Sequence, residues 1–231
     1  MNIWNWFVET TAGWSTLGVV FRLLSALIVG LTVGIDREMK RRGAGIKTHV
    51  LVCLGAALVM ITSQYLMENF DGSTDISRMG AQVISGVGFL GVGTIIVTGR
   101  NQVRGLTTAA SLWVCACVGL AAGAGYIVGV LITLALLIFT LRILGKLDVV
   151  VHRHAKVFDL YLEFIDNKGL TQFVEKMREE HHKISMLQIG KGDVNEGPNA
   201  VVSLEIQDHA KRATLLDDIR CLEYVRFVEE L

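Results

Sequence analysis

The sequence predicts a two-part protein, in which five membrane-spanning helices precede a small α+β domain. Two observations indicate this division. Mean hydropathy is +0.48 and 52% of the residues are hydrophobic, which is more apolar than a typical soluble domain. Residues 1–156 contain 13 Lys and Arg against 7 Asp and Glu, whereas residues 157–231 contain 9 against 15. A net charge of zero therefore conceals a basic apolar part and an acidic second part.

The first part holds five apolar segments, each close to the roughly 20 residues that a helix needs to cross a bilayer. They lie at about 16–35, 48–66, 79–98, 106–123 and 126–144. Arg22, near one end of the first segment, is expected to snorkel towards the interface. Residues 1–15 carry three tryptophans and one charge, which favours an interfacial position. We therefore predict an interfacial segment at 1–15 and a five-helix membrane domain at 16–145.

Loop charges predict the orientation of these spans. The basic segments 36–47, 99–105 and 142–156 alternate with an acidic segment at 67–78 and a neutral one at 121–125. Because basic loops stay in the cytoplasm, the N-terminus is predicted outside and the C-terminus inside. A four-span alternative, with 106–144 divided differently, would place the C-terminal domain outside and break this rule.

A connector at 146–156 leads to residues 157–231, where the hydrophobic pattern changes. Phe158, Leu160, Leu162 and Phe164 alternate as one face of a strand, and a helical pattern with period near four follows over 170–177. Two further strands near 184–190 and 200–207, a helix at 209–222 and a strand at 224–229 complete the order. This β-α-β-β-α-β order predicts a ferredoxin-like cytoplasmic domain.

Two carboxylates at the end of the first span, Asp36 and Glu38, are candidate cation ligands, because hard cations such as Mg²⁺ take oxygen ligands. The alternative is that Asp36 pairs with a nearby arginine and Glu38 is solvated.

Basic residues on the predicted cytoplasmic side form a candidate anion-binding or partner-binding site. The free backbone amides at the start of the fourth span could assist in binding an anion. The alternative is that these charges only set the orientation of the helices. The candidates are Arg37, Arg42, Lys47, Arg100, Arg104, Thr107 and Thr108.

Small and polar residues within the spans either pack helices closely or line a path. These residues are Gly30, Gly34, Ser85, Gly86, Gly88, Gly91, Gly93 and Trp113. No Asp, Glu, Lys or His is predicted at mid-depth, which disfavours a driven transporter. Neither a catalytic motif nor a tetrahedral metal-ligand set is recognisable, so we expect a non-enzymatic protein without a resident cofactor.

Four sequence blocks, taken together and in order, resemble the MgtC/SapB family of bacterial membrane proteins. They are GIDRE at 34–38, GAGIKT at 43–48, SGVGFLGVG at 85–93 and VRGLTTAASLW at 103–113. The resemblance covers about residues 20–145, and the C-terminal domain is similar to the ACT-like domain that some members carry.

This resemblance implies an inner-membrane protein linked to magnesium limitation, to virulence in some pathogens and to a membrane partner such as the ATP synthase. Mg²⁺ is implied as a ligand or substrate. Three functions stay open: regulation of a membrane partner, passive Mg²⁺ transport, and ligand sensing through the C-terminal domain. We also expect a homodimer embedded in the lipid bilayer, with no nucleic-acid binding.

Overall fold

The computed structural model describes residues 2–70, 75–98, 102–147, 157–190, 197–205 and 212–230. The chain forms two compact units, Met1–Gly145 and Lys146–Leu231. Arg100, one of the candidate basic residues, lies outside the described residues.

The first unit is helical. Its helices are α1 (Ile3–Ala12), α2 (Thr16–Met39), α3 (Ile46–Asn69), α4 (Ile76–Gly93), α5 (Leu106–Gly123) and α6 (Ile127–Phe139), which continues into a π-helical turn at Thr140–Leu144. Between α4 and α5 the chain forms a short antiparallel hairpin of β1 (Ile96–Val97) and β2 (Val103–Arg104).

Within the described residues, four helices are long and apolar enough to cross a membrane. They are Thr16–Met39, Ile46–Asn69, Leu106–Gly123 and Ile127–Leu147. The predicted segment at 79–98 differs from the structure, since α4 begins at Ile76 and ends at Gly93. Both the amide and the hydroxyl of Thr94 donate to the Gly91 carbonyl, and the chain then turns into β1. Apolar β-branched residues after Thr94 thus form a strand where hydropathy alone predicted helix.

Glycines on α2 bring it into backbone contact with α3. A Cβ at Gly30 would lie 2.6 Å from the Cα of Val50, and one at Gly34 would lie 2.6 Å from the Cα of Ile46. The later glycine therefore meets the earlier part of α3, so the two helices run in opposite directions. Such close approach increases the dispersion contacts that hold helices together where water is absent.

Helices α3 and α5 run in the same direction. Gly119 lies against the Cys53 carbonyl, and Gly123 lies against the Ala57 carbonyl. Helix α4 runs opposite to both, because Gly80 near its start faces Met60 and Leu120 near the ends of α3 and α5, whereas Gly91 faces Ala109 near the start of α5.

The second unit contains a four-stranded antiparallel sheet with two helices. Its elements are β3 (Val157–Phe164), α7 (Asn167–Glu179), β4 (Lys183–Gly190), β5 (Asn199–Glu205), α8 (Arg212–Arg220) and β6 (Val225–Glu230), and the strand order is β4–β5–β3–β6. This is the order of elements that the sequence predicts. The predicted inner face of β3 is confirmed, because its four apolar side chains are at most 4% exposed and pack with Phe173 and Met177 of α7.

Candidate functional site

Asp36, Arg37 and Lys40 form a compact ionic group, here called the Asp36 cluster, at the C-terminal end of α2. Asp36 and Arg37 are buried, at 8% and 4% exposure. The Arg37 Nη2 donates to Asp36 Oδ2 at 2.6 Å, and Lys40 Nζ lies 3.0 Å from Oδ1. Both carboxylate oxygens are therefore engaged by cationic side chains.

Lys40 also connects the Asp36 cluster to the end of α6. Its Nζ donates to the carbonyl of Leu141 at 2.9 Å, within the π-helical turn. A π turn changes the local hydrogen-bonding register of a helix, and Lys40 supplies a donor at this point. One ammonium group thus joins the ends of two helices.

Glu38 does not share a site with Asp36. Its Oε2 accepts a hydrogen bond from the Ile46 amide at 3.3 Å, which places a negative charge at the start of α3. Helix N-termini favour such a charge because their first amides lack helical partners. Residues two apart on a helix also point in different directions. Among the described residues, no group of three or more His, Cys, Asp or Glu is arranged to hold a metal ion.

The remaining basic candidates are on the surface. Arg42, Lys47 and Arg104 are exposed. The Arg104 guanidinium donates to the Gln102 side chain at 3.0 and 3.3 Å, whereas the Arg37 guanidinium donates to Asp36. The acceptor of Arg37 therefore lies within α2, and that of Arg104 lies two residues before it in the chain.

The start of α5 is shaped by Gly105. This residue has φ +100°, a left-handed conformation that side chains rarely adopt, and it lies directly against the Thr94 carbonyl. Of the two candidate threonines that follow, Thr107 is exposed and Thr108 is buried.

A buried polar chain that sequence reasoning missed joins α3 to α5. His49 Nδ1 lies 2.8 Å from the Gly45 carbonyl, and its Nε2 lies 2.9 Å from the Ser111 hydroxyl. Ser111 Oγ is also 2.8 Å from the Thr108 carbonyl. The sequence offers one signal for this contact. His49 lies in the first turn of the apolar helix α3, four residues after Gly45, which precedes that helix.

Arg22 differs most from its prediction. Instead of snorkelling, it is fully buried at the opposite end of α2 from the Asp36 cluster. Its guanidinium donates to the carbonyls of Thr11 (2.7 Å), Ala12 (3.0 Å), Gly13 (3.3 Å) and Gly123 (3.0 Å), and to the Gln64 side chain (2.7 Å). We call this set the Arg22 network. It supplies donors to carbonyls at the ends of α1 and α5, which have no partner within their helices.

The candidate packing or path-lining residues divide into two groups. Gly30, Gly34 and Gly91 face neighbouring helices. By contrast, Gly86, Gly88 and Gly93 on α4 face open space, and Ser85 and Trp113 are exposed. An open apolar groove of about 370 Å³ lies between α3, α4 and α5 and is lined in part by Gly55, Gly86 and Ala116. Of these candidates, Gly30, Gly34 and Gly91 are therefore the ones placed to hold described helices together.

These features define a membrane protein with a helix bundle that carries an ionic cluster at one end and a buried arginine at the other, together with an α+β unit. The chain belongs to the MgtC family, whose pattern matches residues 23–150.

Sequence similarity to individual proteins extends beyond residues 23–150. A protein of Escherichia coli K12 named "Putative magnesium transporter YhiD" is 33% identical over 216 residues, which cover 88% of this chain and 92% of that protein. Protein SapB of Bacillus subtilis is 27% identical over 96% of this chain and 95% of its own length. Protein MgtC of Salmonella typhimurium 14028s is 41% identical over 106 residues, 46% of this chain and 43% of MgtC. No solved structure gives a significant match.

Proposed function

We propose that this chain is a non-enzymatic inner-membrane protein that supports magnesium homeostasis by binding and regulating a partner in the same membrane. Membership of the MgtC family and similarity to a relative named for magnesium transport support the link to magnesium. The engagement of both candidate carboxylates by protein donors supports regulation over transport.

The chemistry of Mg²⁺ makes this engagement informative. Mg²⁺ needs oxygen ligands in near-octahedral geometry and dehydrates reluctantly. Asp36 already balances two cationic side chains, and Glu38 caps α3 through the Ile46 amide. An incoming cation would have to displace Arg37 or Lys40 from Asp36, and displacing Arg37 would leave a buried positive charge without its partner.

Five membrane crossings belong to this proposal. Because α3 and α5 run in the same direction, the chain must recross the membrane between them, and α4 is the described helix that can do so. Its 18 residues give about 27 Å at helical rise, close to the hydrocarbon thickness. It lies beside both α3 and α5.

The proposed orientation follows from the charges at the helix ends. Lys40, Arg42, Lys47 and Arg104 flank the helix ends nearest the Asp36 cluster, and basic loops remain in the cytoplasm. With five crossings, the N-terminus then lies outside and the α+β unit lies in the cytoplasm. We propose that this unit is ACT-like, which would suit it to sensing a small ligand; the support is its element order, so this assignment rests on fold-level analogy.

Purified protein in liposomes that enclose a Mg²⁺-sensitive dye tests the proposal. We expect Mg²⁺ entry no faster than in protein-free liposomes, while an added ionophore shows that the dye responds. The matched variants are Asp36→Ala, which removes the engaged carboxylate, and Asp75→Ala, which removes an exposed one at the other end of the bundle. Entry that is lost with Asp36→Ala and kept with Asp75→Ala would establish passive transport instead.

The partner-binding half of the proposal has its own test. Exposed Arg42, Lys47 and Arg104 would contact an acidic surface of the partner, for which the family resemblance suggests the ATP synthase. Replacing all three with Glu should abolish co-purification of the synthase from membranes, whereas Arg226→Glu on the α+β unit should not. Co-purification unchanged by the triple variant would exclude this basic surface as the binding site.

A further inference from the structure

The apolar groove between α3, α4 and α5 has a closed floor and open rims. Its floor is formed by Ala56, Val87 and Ala116, which are at most 5% exposed and pack as one cluster. Its rims carry Leu51 and Leu90, which are 69% and 45% exposed. The groove therefore opens sideways from a packed bundle, beside two helices, α3 and α5, that are long and apolar enough to cross a membrane.

The depth of the groove matches one leaflet of a bilayer. Each of its three helices contributes a lining residue ten positions from the helix end nearest the Asp36 cluster. These residues are Ala56, Val83 and Ala116, counted from Ile46, Gly93 and Leu106. At helical rise this distance is about 15 Å, half of the roughly 30 Å hydrocarbon core. The groove therefore faces the acyl chains of one leaflet and stops near the midplane.

The width of the groove suits a hydrocarbon chain better than a helix. Its wall on α4 extends from Val83 to Leu90, which is about 10 Å at helical rise. A volume of about 370 Å³ over that length gives a mean cross-section of about 35 Å². A helix with its side chains is about 10–12 Å across and occupies roughly 80–110 Å². A whole helix therefore does not fit within the groove, whereas an extended chain of methylene groups does.

Two exposed cations lie at the helix ends from which the groove descends. Lys47 precedes Leu51 by four residues, so it neighbours this rim residue on α3, and its side chain leans towards the helix start. Arg104 lies in β2, two residues before α5 begins at Leu106. Its guanidinium uses two of its five N–H groups on Gln102, which leaves donors for an anion. Basic residues in this position between spans attract anionic lipid headgroups.

We propose that the groove binds one acyl chain of an anionic phospholipid, whose headgroup contacts Lys47 and Arg104. The lipid comes from the leaflet on the side of the Asp36 cluster, which the proposed orientation makes the cytoplasmic leaflet. A Cβ at Gly55 or Gly86 would meet no described atom within 4 Å, so a bound chain would supply the packing contacts that these glycines leave open. This inference goes beyond the proposed role in magnesium homeostasis, because it assigns a ligand to the bundle itself.

Native mass spectrometry of the full chain, delipidated in mild detergent, tests the headgroup contact. The probes are dioleoyl phosphatidylglycerol and dioleoyl phosphatidylcholine, which share their acyl chains and differ in charge. Two cations, each contributing roughly a factor of five, predict an approximately 30-fold preference for the anionic lipid. Lys47→Gln and Arg104→Gln should each lower this preference about fivefold, whereas Arg78→Gln at the other end of α4 should not. Equal retention of the two lipids by the unmodified chain would overturn the proposal.

Filling the groove tests the acyl-chain contact without changing a charge. Gly86→Leu should lower retention of phosphatidylglycerol by about tenfold or more, because the new side chain occupies the groove. The control is Gly88→Leu, since Gly88 also faces open space but does not line the groove. Both variants keep Lys47 and Arg104, so lipid loss with unchanged co-purification of the synthase would support this proposal independently of partner binding. Equal lipid retention by the two variants, or release of another protein chain by Gly86→Leu with its lipid retained, would overturn it.

Discussion

The burial of Arg22 leads to a quantitative prediction for the stability of the helix bundle. Replacing Arg22 with Ala removes five hydrogen bonds, four of them to backbone carbonyls at the ends of α1 and α5. A hydrogen bond to a charged group contributes about 1.5–3 kcal/mol, but bonds in one network are not additive. Removing one partner from a buried charged contact costs about 3–5 kcal/mol, which we take as the expected loss in the free energy of unfolding.

Thermal unfolding of the detergent-solubilised protein measures this loss. For a chain of this size each kcal/mol lowers Tm by about 2–4 °C, so Arg22→Ala should lower Tm by roughly 6 to 20 °C. The Tm of Arg22→Lys should lie between those of the unmodified chain and Arg22→Ala, because an ammonium cannot serve several acceptors in the planar arrangement that suits a guanidinium. The control is Arg78→Ala, an exposed arginine in α4. If Arg22→Ala and Arg78→Ala unfolded within about 2 °C of each other, the Arg22 network would not stabilise the bundle as argued.

Three further predictions use the same thermal measurement. Gly34→Ala should lower Tm by several degrees because its Cβ would lie 2.6 Å from the Cα of Ile46, whereas Gly86→Ala, which faces open space, should change it little; equal effects would contradict the packing role. Gly105→Ala should destabilise by about 1–3 kcal/mol because φ is +100° there, and an unchanged Tm would show that the turn relaxes. Glu38→Ala should cost about 1 kcal/mol by removing the acceptor for the Ile46 amide, and Glu38→Gln, which keeps an oxygen acceptor, should restore part of it; no difference between these two variants would argue against capping.

The sequence pattern predicted the elements that depend on burial periodicity. Alternation at Phe158, Leu160 and Leu162 identified the inner face of β3, because a strand has a period of two whatever it packs against. Long apolar runs likewise identified four helices that can cross a membrane. The end of α4 was mispredicted because residues 95–97 are apolar. Hydropathy does not separate a short apolar strand from the end of a helix.

The candidate site was predicted less well, because its contacts join residues that are distant in sequence. The pairing of Asp36 with Arg37 was one of the two readings available from adjacent residues. The acceptors of Arg22 come from three separate segments, and the partner of His49 is Ser111 on another helix. Periodicity reports which face of a helix is apolar, but it does not report which helix lies beside that face.

The Arg22 network also bears on how the chain enters the membrane during synthesis. The Gly123 carbonyl lies 101 residues after Arg22 in the chain, and Gln64 lies 42 residues after it. At about 5–20 residues per second, the ribosome reaches Gly123 roughly 5 to 20 s after it adds Arg22. The carbonyls of Thr11, Ala12 and Gly13 precede Arg22 by 9 to 11 residues, so they emerge before it. The acceptors at the end of α1 are therefore synthesised before Arg22, and the acceptors on α3 and α5 only after it.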